Sequence, residues 1–356
     1  MKRRPKAWTI ALLLAAAGAA AGPPPPVVPG YVLAFPRDRG SHPAFLTEWW
    51  YATGWLRTRA GEDLGFQITF FRSRQPEADA NPSAFAPRQI VIAHAALSDP
   101  AFGRLRHDQR IAREGFGLAG AQTDDTRVWI DDWRLERDAA GYALQASSES
   151  FSLRLALVPT QAPMLNGEAG YSRKGAAPLA ASYYYSEPQL LVRGEIGRDG
   201  RRDAVTGGAW LDHEWSSEPL EPGAVGWDWV GLNIAGGGAL MAFRIRDGRG
   251  GVRHAGGTLR TPAGTTRALA PTEIVFTPLR HWRSPRTGID YPVEWRLQAG
   301  TFDARLEPLM DDQESDSRAT TGAIYWEGAV RARAAGRVIG RGYLELTGYG
   351  EPLSLR

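Results

Sequence analysis

Two short stretches set ionisable side chains among tryptophans, which is what acid–base chemistry in a water-poor pocket needs. In WLDHEWSS, Trp210 to Ser217, an extended backbone puts Trp210, Asp212 and Glu214 on one face and Leu211, His213 and Trp215 on the other. His213 beside Trp215 is then a titratable group against an aromatic wall, where desolvation shifts its pKa. The plainer reading is a buried histidine that packs and makes one hydrogen bond. In GWDWVGLNI, Trp227 and Trp229 face together and Asp228 faces oppositely. An unpaired buried carboxylate is costly, so Asp228 either pairs with Arg244 or Arg246 or stays protonated, the state a general acid requires.

A third stretch, LTEWWYATGWL, holds Glu48 and Trp50 on one face and Trp49, Tyr51 and Trp55 on the other. Glu48 is a candidate acid at the edge of an apolar wall; its plainer alternative is a solvated strand-end residue. Metal chemistry is not expected. Neighbours on a strand point apart, no HExxH or cysteine pair is present, and a zinc site would have to be assembled from His42, His94 and His213 by folding. No GxSxG marks a serine nucleophile.

The elements positioning these residues read as strands. Alternation of apolar and polar residues recurs, long helical spacing does not, and glycine-containing turns such as RAGED, GRDGRR and TPAGTT separate the runs. The expectation is an all-β chain. Its strands include Thr47–Thr58, Leu64–Arg74, Ser182–Ile196, Thr206–Trp215, Trp227–Ile234 and Gly342–Thr347, with a long loop over 75–87. A faint repeat aligns Trp210-Leu211-Asp212 with Tyr343-Leu344-Glu345, setting His213 against Leu346 and Glu214 against Thr347. Where the first copy is polar and the second plain, the asymmetry points at His213 and Glu214.

The chain opens with Lys2, Arg3, Arg4 and Lys6, an apolar run from Trp8, and a small-residue Ala19-x-Ala21 site. That pattern is a secretory signal over 1–21, too short to span a bilayer and followed by a proline-rich linker over 22–37. A cleaved signal implies a periplasmic or secreted protein. Of 42 basic and 39 acidic residues, four basic ones lie in the signal, so the remainder is near neutral and nucleic-acid binding has no electrostatic basis. With no cysteine, stability rests on an ordinary core. Domains are expected over 38–218 and 219–352.

The stretches DRGSHPAFLTEWWYATGWL, IAHAALSD, YYYSEPQLLVRGEI, WLDHEWSS and GWDWVGLNI resemble the AttH and carotenoid 1,2-hydratase group from about Asp38 to near the C-terminus. The resemblance implies two consecutive lipocalin-like antiparallel β units, barrel or sandwich, and cofactor-free addition of water across a carbon–carbon double bond of an isoprenoid or similar apolar substrate. A His-x-Trp pair implicated in those hydratases matches His213 and Trp215. The Tyr and Asp implicated on a later strand are not plainly matched, since no tyrosine lies between Tyr185 and Tyr291; Asp228 and Asp247 are the nearest acids. The chemistry expected is protonation of an alkene by Asp228 or Glu48, with His213 orienting water and Glu214 beside it. Trp50, Trp215, Trp227, Trp229 and Tyr184 would wall in the substrate and the resulting cation. The rival expectation is a non-catalytic carrier of lipid or isoprenoid working with an ABC-type export system, as the AttH name suggests.

Overall fold

The computed structural model describes residues 22–218 and 220–353; the signal-like segment 1–21 lies outside them. Among the described residues the chain is all-β, with only three short 3₁₀ turns besides its strands. Strands from Thr47 to Glu218 form one antiparallel sheet and strands from Ala224 to Leu346 a second. Alternation explains them locally. Along Phe151–Val158, Phe151, Leu153, Leu155 and Leu157 are buried while the residues between face outward.

The two sheets share an order. In the first, Thr47–Thr58 lies between Asp63–Arg74 and Arg201–Glu218; in the second, Ala224–Ile234 lies between Ala239–Asp247 and Arg337–Leu346. The last hairpin of each turns on a two-residue loop with both φ values positive, Asp199-Gly200 and Ala335-Gly336. These left-handed pairs match the twist of the flanking strands. The repeat read over Trp210–Asp212 and Tyr343–Glu345 therefore falls on equivalent strands. The outer strands of the first sheet, Leu105–Arg113 and Ala119–Ala121, approach each other, so this sheet is nearly closed.

Each unit has its own core. One holds Trp50, Phe66, Phe70 and Trp133, the other Val230, Trp295, Trp326 and Leu344. A third cluster lies between the units and contains Tyr51, Trp55, Tyr184, Trp210, Trp229, Phe243 and Tyr343. Trp55 Nε1 donates to Gly342 O (3.0 Å), and Asn233 Nδ2 to Ala209 O (2.9 Å), across this junction.

The charged edge strand Leu105–Arg113, LRHDQRIAR, escapes a reading by alternation because edge strands carry charge that discourages further pairing. The proline-rich segment is a second departure. Rather than standing off as a spacer, it buries Val27 and Leu33 against Tyr171, Tyr183 and Trp215, and Val28 N–H donates to the Tyr183 hydroxyl (3.0 Å). Its apolar residues find an aromatic surface that the first unit leaves uncovered. No helix among the described residues is long and apolar enough to cross a membrane.

Candidate functional site

The central strands of the first unit present two chemically different faces. Trp49 and Tyr51 stand opposite Glu214 and Asp212 in register, and Glu48 and Trp50 opposite Trp215 and His213. The first set faces the second unit. The other set turns into the first barrel, so two polar clusters sit back to back on one pair of strands.

On the junction face lies a cavity of about 270 Å³. Its apolar wall includes Trp49, Trp227, Trp229, Phe243, Ile245 and Leu220. Asp212 and Glu214 reach it from the first unit, Glu327 and Glu345 from the second. Burial pushes the Asp212 carboxyl up to about 7 against the hydrogen bonds it receives. Trp210 Nε1 (2.7 Å) and Ser186 Oγ both donate to its Oδ1, which leaves Oδ2 to carry the proton. Burial likewise raises Glu345 to about 7, and burial and then the charge of Glu345 raise Glu327 well above the carboxylate range. These two glutamates are direct cross-strand partners, where like charges repel. The Tyr51 hydroxyl and Glu327 Oε1 have no hydrogen-bond partner among the described residues. Lys174 Nζ pairs with Glu214 Oε1 at 2.8 Å, and Trp229 Nε1 donates to the Tyr184 hydroxyl at 3.1 Å. His94 also borders the space, and burial drives it down to about 3, so it stays neutral.

The barrel-side cluster is closed and saturated. Glu48 is fully buried; its carboxylate accepts from Ser41 Oγ (2.9 Å), His42 N–H and Arg72 Nε (2.8 Å). Burial alone would raise it, but Arg72, His213 and His42 outweigh that and hold it well below the usual range. His213 Nε2 lies 2.9 Å from Glu48 Oε1 and His42 Nδ1 2.8 Å from the same oxygen. Burial lowers the His213 pKa despite Glu48. Trp215 stacks on His42 (3.7 Å) and Trp50 on His213 (4.7 Å). The donor atoms of His42, Glu48 and His213 lie within 4.8 Å of one another, close enough to surround an ion. Arg72 already compensates the glutamate, so a divalent ion would add charge to a balanced network.

The family model for AttH-like proteins matches residues 26–349. The chain belongs to the AttH-like family. A crystal structure of a protein assigned to AttH from Nitrosomonas europaea is 53% identical, covers 91% of this chain and 99% of that one, and superposes with a TM-score of 0.85. Kievitone hydratase from Nectria haematococca shares the fold at 15% identity and a TM-score of 0.67, over 90% of this chain and 94% of that one. CghA with Sch210972 is similar at 12% identity and a TM-score of 0.53, over 92% and 95%. No curated protein matches the chain.

Of the residues singled out by sequence, Glu214, Trp227, Trp229 and Tyr184 meet in the cavity, and Glu48 borders it from the other side of the sheet. His213, Trp50 and Trp215 do not join them; they belong to the barrel-side network. His213 cannot orient water in the cavity, because alternation turns it to the opposite face. Glu48 is no proton donor either, since Arg72 and two histidines stabilise its ionised form. Asp228 needs the same correction. It points into the second unit, where Arg244 Nε (2.6 Å), Arg246 Nε (3.2 Å) and the Tyr349 hydroxyl (2.9 Å) bind it, the pairing that was its plainer alternative. Asp212, Glu327, Glu345 and Lys174 were missed. Asp212 and Glu345 carry a signal in the sequence, because the repeat keeps an acid at that one position in both copies, whereas its polar-to-plain differences fall on His213 and Glu214.

Proposed function

We propose that the AttH-like chain is a cofactor-independent hydratase that adds water across a carbon–carbon double bond of an apolar, isoprenoid-like substrate held between its two units. The observation that carries this reading is a carboxyl group, Asp212, kept protonated near neutral pH in a cavity walled by indoles. Asp212 Oδ2 delivers its proton to one alkene carbon, and the cation formed on the other faces the π surfaces of Trp227 and Trp229. Water adds to that cation, and its surplus proton returns to the Asp212 carboxylate, so alkene and water give an alcohol with the acid regenerated. Kievitone hydratase, with the same fold, makes hydration a chemistry this architecture accommodates. The signal-like segment supports export to the periplasm or beyond, where such a protein could work beside an ABC-type transporter.

The apolar wall would equally serve a carrier, and one experiment separates the two. The purified protein is stripped, reloaded with its own co-purifying ligand and incubated in heavy-oxygen water, and the ligand is weighed by mass spectrometry. Hydration adds one whole heavy water molecule, and Asp212→Asn abolishes the gain while still binding the ligand. A ligand recovered unaltered from wild type overturns the hydratase reading in favour of the carrier.

A further inference from the structure

Lys174 is the one lysine among the described residues, in a chain whose other cations are overwhelmingly arginine. Every other cation–carboxylate pair recorded there uses arginine or histidine. Arginine is the better ion-pairing residue, with a fork of donors and a permanent charge, whereas lysine offers what arginine cannot: a primary amine that becomes a nucleophile on losing a proton. The exception stands in the cavity wall rather than on the surface, nine-tenths buried.

Its surroundings are built from both units. Nζ lies 2.8 Å from Glu214 Oε1, 4.9 Å from the ring centre of Tyr184, and 4.3 Å from that of Phe243 on the second unit. Ser182 Oγ donates to the same Glu214 oxygen. The backbone that carries the amine is also held. Lys174 N–H donates to Ala180 O (2.7 Å), and the next residue, Gly175, lies so close to Glu221 that a Cβ there would come within 2.2 Å of its carboxylate. The amine is thus aimed at the cavity by a clamped segment, beside a carboxylate and two rings suited to a single positive charge.

We propose that Lys174 is the covalent anchor of this cavity, forming an imine with the carbonyl carbon of an apolar aldehyde or ketone. Glu214 takes a proton from the ammonium, the freed amine attacks the carbonyl carbon, and the carbonyl oxygen leaves as water after collecting two protons, one of them returned by Glu214. Ammonium and carbonyl give iminium and water, with no change of oxidation state. The iminium carries the same single charge at the same place, so Glu214, Tyr184 and Phe243 hold it as they held the lysine. The inference rests on the cavity as the ligand site and names the substrate class for it. Where the carbonyl is conjugated to the alkene, the iminium draws electrons from the double bond and readies its far carbon for water.

The test is reductive trapping. The full-length protein is incubated separately with citral and with hexanal in the presence of cyanoborohydride, then weighed intact and mapped by peptide. The expected result is one adduct per chain on Lys174, distinct from Lys2, Lys6 and the amino terminus, and none on that peptide in Lys174→Arg, which keeps the charge but cannot form the imine. Glu214→Gln is expected to slow trapping at least tenfold at pH 7 while citral still binds. Adducts confined to the other amines in wild type with both aldehydes overturn the proposal, whether or not Lys174→Arg folds. The two readings fail separately. A ligand that gains heavy water without any Lys174 adduct removes this inference alone, and a trapped aldehyde in a protein that hydrates nothing removes only the hydratase.

Discussion

Replacing Asp212 by asparagine isolates the feature on which the hydratase reading stands. Burial raises this carboxyl from 3.8 to about 7, so the unfolded chain releases the proton first as pH rises. Stability is then full below about pH 4, declines as pH climbs towards 7, and levels off above it. At 1.36 kcal/mol per pKa step, the whole loss is about 4 kcal/mol. Asparagine retains an acceptor for Trp210 Nε1 and Ser186 Oγ but cannot ionise. Its new Nδ2 group adds at most a constant offset, so the slope is the informative quantity. Urea unfolding of both proteins at intervals from pH 4 to 9 should show the variant gaining about 4 kcal/mol on wild type by pH 8, half of it near pH 5.5. A difference that stays constant to within about 1 kcal/mol over that range would mean that Asp212 ionises normally, and the proton donor would be lost with it.

Asp228→Asn should cost about 3–5 kcal/mol, because it leaves Arg244 and Arg246 without their carboxylate, yet turnover per folded molecule should not change. Lost turnover with stability retained would restore Asp228 as an acid. Gly65→Ala tests the junction, since a Cβ there would lie 2.6 Å from the Tyr343 hydroxyl and 2.7 Å from Ala329 Cβ, both on the second unit. The expected loss is about 1–3 kcal/mol in urea unfolding, and an unaltered midpoint would show that the two units are not so closely apposed.

What the sequence determined by itself was strand, turn and face. Period-2 alternation is a property of the extended backbone, so it correctly separated Asp212 and Glu214 from His213, and Trp227 and Trp229 from Asp228, before any partner was known. It could not say which face would meet the other unit. That depends on packing between residues more than a hundred positions apart, as where His94 Nδ1 meets the Tyr325 hydroxyl at 2.8 Å. Only the tertiary structure gave His213 to a saturated network and Asp212 to the cavity, because burial and neighbouring charge, not residue type, decide whether a carboxyl keeps its proton. Lys174 lies just past a three-residue strand, where no periodicity marks a face. It became a candidate once two sheets had closed around its amine.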